Sequence, residues 1–239
     1  MKKLFLRCFV ALLLTTWLGC GDTPEDYAGL TEIREELNRL YKAKESGDEA
    51  TVMEVSRRLL ASKQTIGAAR ITPLIYKAEV LTRRGKIEEV NALFEQQFPF
   101  VAKSSGGCGQ AAFLSMKAEV FQEAGRIDLA VADYIAAIEK CPSLDNGYSK
   151  LSLIHSTAAD PEYIDAQKAL SLAQKAVEIN MCSKSLNAVA AAYAKAGRYN
   201  LAASNMQKAV DAAEKERQHP DKIESFRKML SAYQSKAAE

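Results

Sequence analysis

Five cysteines and two histidines are the most reactive side chains of this 239-residue chain, and their neighbours decide what they could do. The segment Ser104-Ser-Gly-Gly-Cys-Gly-Gln sets a thiol in a glycine-rich stretch, the composition of a nucleophile loop or a phosphate cradle. A nucleophilic thiol needs a neighbouring base or cation to hold it as thiolate. A phosphate cradle needs a Lys-Ser or Lys-Thr pair behind its glycines, and none follows here, which excludes a P-loop. The segment therefore reads as a flexible linker. Neither His155 nor His219 has a cysteine or carboxylate at a zinc-ligand spacing, and no Cys-x-x-Cys or His-Glu-x-x-His occurs. The pairs Glu35-Glu36 and Glu88-Glu89 read as solvated charge on helix faces. These residues predict no enzyme, no cofactor and no metal.

The elements that would carry them repeat. Three windows align on a glycine: Leu74, Ala78, Leu81 before Gly85; Leu114, Ala118, Phe121 before Gly125; Leu186, Ala190, Tyr193 before Gly197. Apolar or small residues follow at Val90 and Phe94, at Ala130 and Tyr134, and at Ala202 and Met206. The three-and-four spacing on both sides predicts two amphipathic helices per window, reversed at the glycine. Alanines let the two helices approach closely, and Phe121, Tyr134 and Tyr193 fill the gaps between layers. Pro142 stops the second helix of its window, because it has no amide to donate. Self-similarity at about 34 residues marks stacked helical hairpins.

In residues 111–142 the succession small residue, aromatic, Gly, Ala, aromatic, Ala, Pro resembles the tetratricopeptide repeat (TPR). The segment Ala190-Ala-Ala-Tyr-Ala-Lys-Ala-Gly-Arg-Tyr resembles it too. Weaker copies cover 33–64, with Leu40, Gly47, Val52 and Leu59, and 145–181, where Leu151, Ala169, Ala173 and Ala176 fit. In that second copy an insertion at Ala158-Ala-Asp-Pro-Glu replaces the glycine turn. The family's tryptophan position holds Leu74, Leu114 and Leu186, and repeats one, two and five lack the closing proline. The resemblance implies an all-α, right-handed superhelical solenoid of about five hairpins over 30–216. Beyond it, Ile223, Phe226, Met229, Leu230 and Tyr233 form one helical stripe behind His219-Pro220-Asp221. That stripe predicts a capping helix in 217–239, which a solenoid needs to cover its last apolar layer.

In that family the first helix of each hairpin lines the concave, partner-binding face. Carried over, the positions are Tyr41, Lys44 and Glu45 in the first repeat, then Ile75, Glu79, Thr82 and Arg83 in the second. The third contributes Ser115, Glu119, Gln122 and Glu123; the later ones contribute Leu153, Ser156, Asn187 and Lys195. Both charge signs with a few apolar residues suit a peptide segment or a protein edge. The lysine–asparagine clamp with which some members grip a terminal carboxylate is not reproduced.

The N-terminus reads as an address. Lys2, Lys3 and Arg7 precede the apolar run Cys8 to Leu18, too short for the roughly 20 residues that span a bilayer. Trp17-Leu-Gly-Cys resembles the lipobox of bacterial lipoproteins, with residues 1–19 the signal peptide and Cys20 the lipidated first residue. Residues 20–29 are then a tether, and its eight residues from Gly21 to Ala28 reach about 25–30 Å when extended. By the same resemblance, Gly21 after the cysteine favours the outer membrane, facing the periplasm. The chain carries 32 basic and 30 acidic residues; residues 1–19 hold three basic and no acidic ones, leaving 29 against 30. No basic stripe with interleaved aromatics appears, so nucleic acid is not an expected partner.

With Cys20 lipidated, Cys108, Cys141 and Cys182 remain in an oxidising compartment. Cys108 precedes the first helix of repeat three and Cys141 ends its second, so an antiparallel hairpin puts both at one end. Either a 108–141 disulfide or three independent thiols fits that arrangement. The expected function is a membrane-tethered protein-interaction scaffold of the bacterial envelope, in the manner of an assembly or pilot lipoprotein. The alternative is a lipoprotein that binds a small or lipidic solute for a transporter, in which Ile75, Phe121 or Leu153 would face an apolar channel.

Overall fold

A computed structural model describes residues 24–63, 65, 68–104 and 106–239. The expected all-α class of paired helices with a terminal cap is observed, in eleven α-helices and no strand among the described residues. The described residues divide into two compact units, one ending at Val80 and one beginning at Leu81. The signal peptide, Cys20 and the first tether residues lie outside the described residues. Pro24 opens the first helix, so residues 24–29 of the expected tether are helical; at the first turn the missing proline N–H costs nothing.

In the first unit, α1 (Pro24–Ser46) packs antiparallel on α2 (Glu49–Ala61) through Leu37, Leu40, Val52, Val55 and Leu59. Val80 and Tyr76 of α3 (Ala68–Arg83) join that core. The end of α2 would leave carbonyls unpaired. Arg70 meets them: its guanidinium donates to the carbonyls of Leu60 (2.9 Å), Ser62 (2.6 Å) and Thr65 (2.8 Å) while 3% exposed.

The second unit continues through α4 (Ile87–Ser104), α5 (Gly107–Glu123), α6 (Ile127–Lys140) and α7 (Asp145–Thr157). It ends with α8 (Ala166–Ile179), α9 (Ser183–Lys195), α10 (Tyr199–Lys215) and α11 (Pro220–Ala237). Successive helices pack in pairs. Alanines 118, 130, 137, 169, 173, 176, 190, 202 and 209 are at most 2% exposed, the small-residue packing expected of them. Phe94 meets Phe113 edge-on at 5.4 Å between ring centres. The cap α11 seats Phe226 against Leu186, Met206 and Val210, with Ile223, Met229, Leu230 and Tyr233 around it.

The glycine turns share one geometry. Gly47, Gly85, Gly125 and Gly197 have φ between 70° and 74°, and the next amide reaches back to Ala43, Leu81, Phe121 and Tyr193 at 2.9 Å. That six-to-one bond, with the glycine N–H bonded one residue further on, closes a Schellman motif. The turn after α10 repeats it without glycine: Arg217 takes φ 53° while Gln218 N–H reaches Ala213. Repeat four departs as its insertion predicts. Residues 158–165 hold a 3-10 turn, Pro161–Tyr163, pinned where His155 Nδ1 donates to the Tyr163 carbonyl at 2.6 Å.

Residues 107–110, expected to belong to a flexible linker, are instead the first turn of α5. The glycine content there serves packing: a Cβ on Gly107 would stand 2.6 Å from the Lys140 carbonyl oxygen. Gly147 is a second close approach, where a Cβ would stand 2.9 Å from Ile138 Cγ1.

Candidate interaction surface

In the first unit the expected partner-facing positions converge on a residue that sequence reasoning missed. Tyr41 of α1 meets Tyr76 of α3 edge-on, ring centres 5.9 Å apart and planes at 83°. Lys44, one turn along α1, lies 4.9 Å over the Tyr76 ring and pairs with Glu79. A cation over an aromatic face is attracted by the ring's quadrupole, and the carboxylate beside it fixes the ammonium further. Burial, with Tyr41 and Glu45 nearby, pushes the Tyr76 hydroxyl above its ordinary range, so it stays a neutral donor. The four side chains are half-buried and hold one another in place. Ile75 is half-buried on the same helix, and Arg83 at its end is exposed.

In the second unit the same repeat positions serve different ends. Glu119 pairs with Lys150 across α5 and α7 at 3.0 Å. Gln122 Oε1 accepts from the Tyr134 hydroxyl at 3.3 Å, satisfying the polar end of a ring that is otherwise fully buried. Burial, with Glu119 and Glu123, keeps that phenol protonated. Leu153 is turned toward Ala173, Ala188 and Val189, where it packs between layers. Asn187 is half-buried, and Lys195 is exposed at the end of α9. Thus Tyr41, Lys44 and Glu79 form one cluster, Glu119 and Gln122 touch structural partners, and Leu153 is committed to packing.

A buried charge sits between α4, α5 and α6. Lys117 is 6% exposed and reaches Glu95 at 2.8 Å and Asp133 at 3.5 Å, with its ammonium 5.6 Å from the Phe121 ring centre. Burial pushes the Asp133 carboxyl above its ordinary value, and Lys117 opposes that rise. Two concavities lie in the second unit. An apolar one of about 230 Å³ is lined by Ile135, Ile138, Tyr148, Leu151 and Leu172, with His155 among its walls. A polar cleft of about 460 Å³ gathers Asp145, Asn180, Met181, Cys182, Lys184 and Glu216. In that cleft Glu216 accepts from both the amide (2.7 Å) and the hydroxyl (2.6 Å) of Ser183, capping α9.

Cys108 and Cys141 are joined by a disulfide, and Cys182 is free. Among the described residues no three His, Cys, Asp or Glu side chains gather as a metal set. Among them, too, no helix is long and apolar enough to cross a membrane.

No protein-family model matches the chain, and no curated protein matches it. Solved structures do. The crystal structure of BtubC (BKLC) from P. vanneervenii aligns with a TM-score of 0.62 at 13% identity, covering 85% of this chain and 84% of that one. A tetratricopeptide repeat protein from Parabacteroides merdae aligns at 0.53 and 15% identity, over 87% of this chain and 75% of the other. A thermophilic TPR protein of Thermus thermophilus aligns at 0.51 and 15%, over 87% of this chain and 100% of its own. The fold is TPR-like. At these identities the likeness speaks for the fold alone, and what the surface does must be argued from its own residues.

Proposed function

We propose that this chain is a protein-interaction scaffold, held at a bacterial envelope membrane by lipid on Cys20 and facing the periplasm, as an assembly or pilot lipoprotein would be. The observation that carries the scaffold reading is the Tyr41–Lys44–Tyr76–Glu79 cluster. Aromatic rings and a charge locked by their neighbours lose little side-chain entropy on docking, which is what binding hot spots exploit. The membrane part rests on the residues around Cys20 in the sequence.

The test is native mass spectrometry of the lipidated protein extracted in mild detergent. A protein co-purifying in fixed stoichiometry is expected, and Tyr76→Ala should weaken its retention at least tenfold, about 1.4 kcal/mol of binding. A small added mass that survives detergent release, with no protein partner, refutes the scaffold. Cys20→Ser should move the protein from the membrane to the soluble fraction; an unchanged distribution refutes the anchor.

Carriage of a solute for a transporter is the second reading, and the apolar cavity of about 230 Å³ is the observation in its favour. Sites that enclose drug-sized ligands run about 300–1,000 Å³. Phe121, a residue expected to line such a channel, is 1% exposed within the core. The scaffold therefore has the stronger support.

A further inference from the structure

The disulfide is asymmetric. Cys141, in the C-cap of α6, is 3% exposed and packs with Ala111, Ala137, Leu114 and Leu144. Cys108, in the first turn of α5, is exposed. That turn is poor in anything else that would hold it. Its N-cap is Gly106, with no side-chain cap, and it contains Gly107 and Gly109 but no acidic residue. Glycine is the weakest helix former after proline, and helix starts normally rely on a capping oxygen or an acidic first turn. The turn is also pressed onto the end of α6, with Gly107 against the Lys140 carbonyl.

We propose that the Cys108–Cys141 bridge is a one-sided redox latch: thiols enter at Cys108, and the first turn of α5 is ordered only while the latch is closed. Thiol–disulfide exchange begins with a thiolate attacking an accessible sulfur in line with the bond it breaks. Cys108 is the exposed residue of the pair and Cys141 the buried one, which assigns the attack to Cys108 Sγ. A low-molecular-weight thiolate bonds to it, the S–S bond breaks, and the electron pair leaves on Cys141 Sγ, which takes up a proton. The Ser143 hydroxyl stands 3.4 Å from that leaving sulfur and can donate to it. A second thiolate attacks the outer sulfur of the mixed disulfide and expels the Cys108 thiolate, which is protonated. The balance is two thiols oxidised to one disulfide and the protein bridge reduced to two thiols. With the bridge open, the turn is left to the backbone hydrogen bonds from Gly109 and Gln110 to the Gly106 carbonyl.

The test uses the intact protein with glutathione as the thiol. Exchange is quenched with alkylating agent, and the mixed disulfide is located by peptide mass spectrometry. At least a tenfold excess of glutathione on Cys108 over Cys141 is expected; equal labelling or preference for Cys141 overturns the one-sided entry. Hydrogen exchange is then compared between oxidised and fully reduced protein. Amides 109–111 should exchange at least tenfold faster when reduced, with 113–123 changing less than twofold. Unchanged protection at 109–111 overturns the latch. Acceleration running through all of α5 and α6 overturns it as well, because the bridge would then be a global staple. The Cys108→Ser/Cys141→Ser variant, measured without reductant, should match the reduced protein in the same amides.

Discussion

Gly107→Ala probes, with a single methyl group, a close approach of backbone to a glycine. The added Cβ would lie 2.6 Å from the Lys140 carbonyl oxygen, so the two elements must part by 0.4 Å to reach even the 3.0 Å lower bound of real contacts. The obstacle is backbone, which cannot rotate away. The neighbouring residues on both sides, Cys108 and Cys141, are covalently joined and resist that parting. Overpacking of this kind costs about 1–3 kcal/mol, against a gain of about 0.4–1 kcal/mol from replacing a flexible glycine. The net expectation is a loss of about 1–2 kcal/mol in the oxidised protein. With Cys108→Ser/Cys141→Ser the helix start is free to shift, and the penalty should shrink by about 1 kcal/mol, the coupling a double-mutant cycle reads. Urea titration followed by hydrogen exchange of peptides from residues 81–239 is the assay, because stacked hairpins need not unfold as one unit. A Gly107→Ala protein as stable as the parent, or one penalised equally with and without the bridge, refutes the reasoning.

Two further substitutions test other parts of the second unit. Arg217→Gly should stabilise the α10–α11 turn by about 0.5–1 kcal/mol, since a side chain at positive φ costs about 1–2 kcal/mol and glycine gives part of that back in unfolded-chain entropy; a lowered urea midpoint contradicts it. Removing the buried cation with Lys117→Ala should cost about 2–3 kcal/mol, below the roughly 3–5 of a fully buried pair because Glu95 stays hydrated; the same urea titration reads this, and a loss under about 1 kcal/mol contradicts it. The pH dependence has a defined sign. Asp133 is raised above 3.8 in the folded chain, so the folded state binds its proton more tightly than the unfolded one. Its burial penalty is present at neutral pH and is relieved as pH falls through the raised value toward 3.8. The stability difference between parent and Asp133→Asn should therefore move in the parent's favour over that window; movement the other way refutes the assignment.

Much of the fold was legible because a hairpin repeat stores its geometry locally. Leu81, Phe121 and Tyr193 stand four residues before a glycine, and the carbonyls of those three residues close the Schellman bond. The capping stripe from Ile223 to Tyr233 was legible for the same reason, since three-and-four spacing specifies one helix face whatever it packs on. Arg217 was missed because the left-handed turn is a backbone demand that arginine meets at a cost. Lys117 was missed because a lysine among polar helix positions reads as solvated until the helices that bury it are in place.

The candidate site divides along that line. Sequence by itself determined the paired helices, the turn positions and the close-packing alanines, because those depend on contacts a few residues apart. Only the tertiary structure decided that Tyr76 meets Tyr41 and Lys44, that Leu153 is spent in packing, that Gln122 satisfies Tyr134 and that the glycines near Cys108 start a helix. Each of those joins residues on different helices, or from opposite ends of a hairpin. Their distances follow from the offset and rotation of one helix against another, a product of all the side chains between them and of no local pattern.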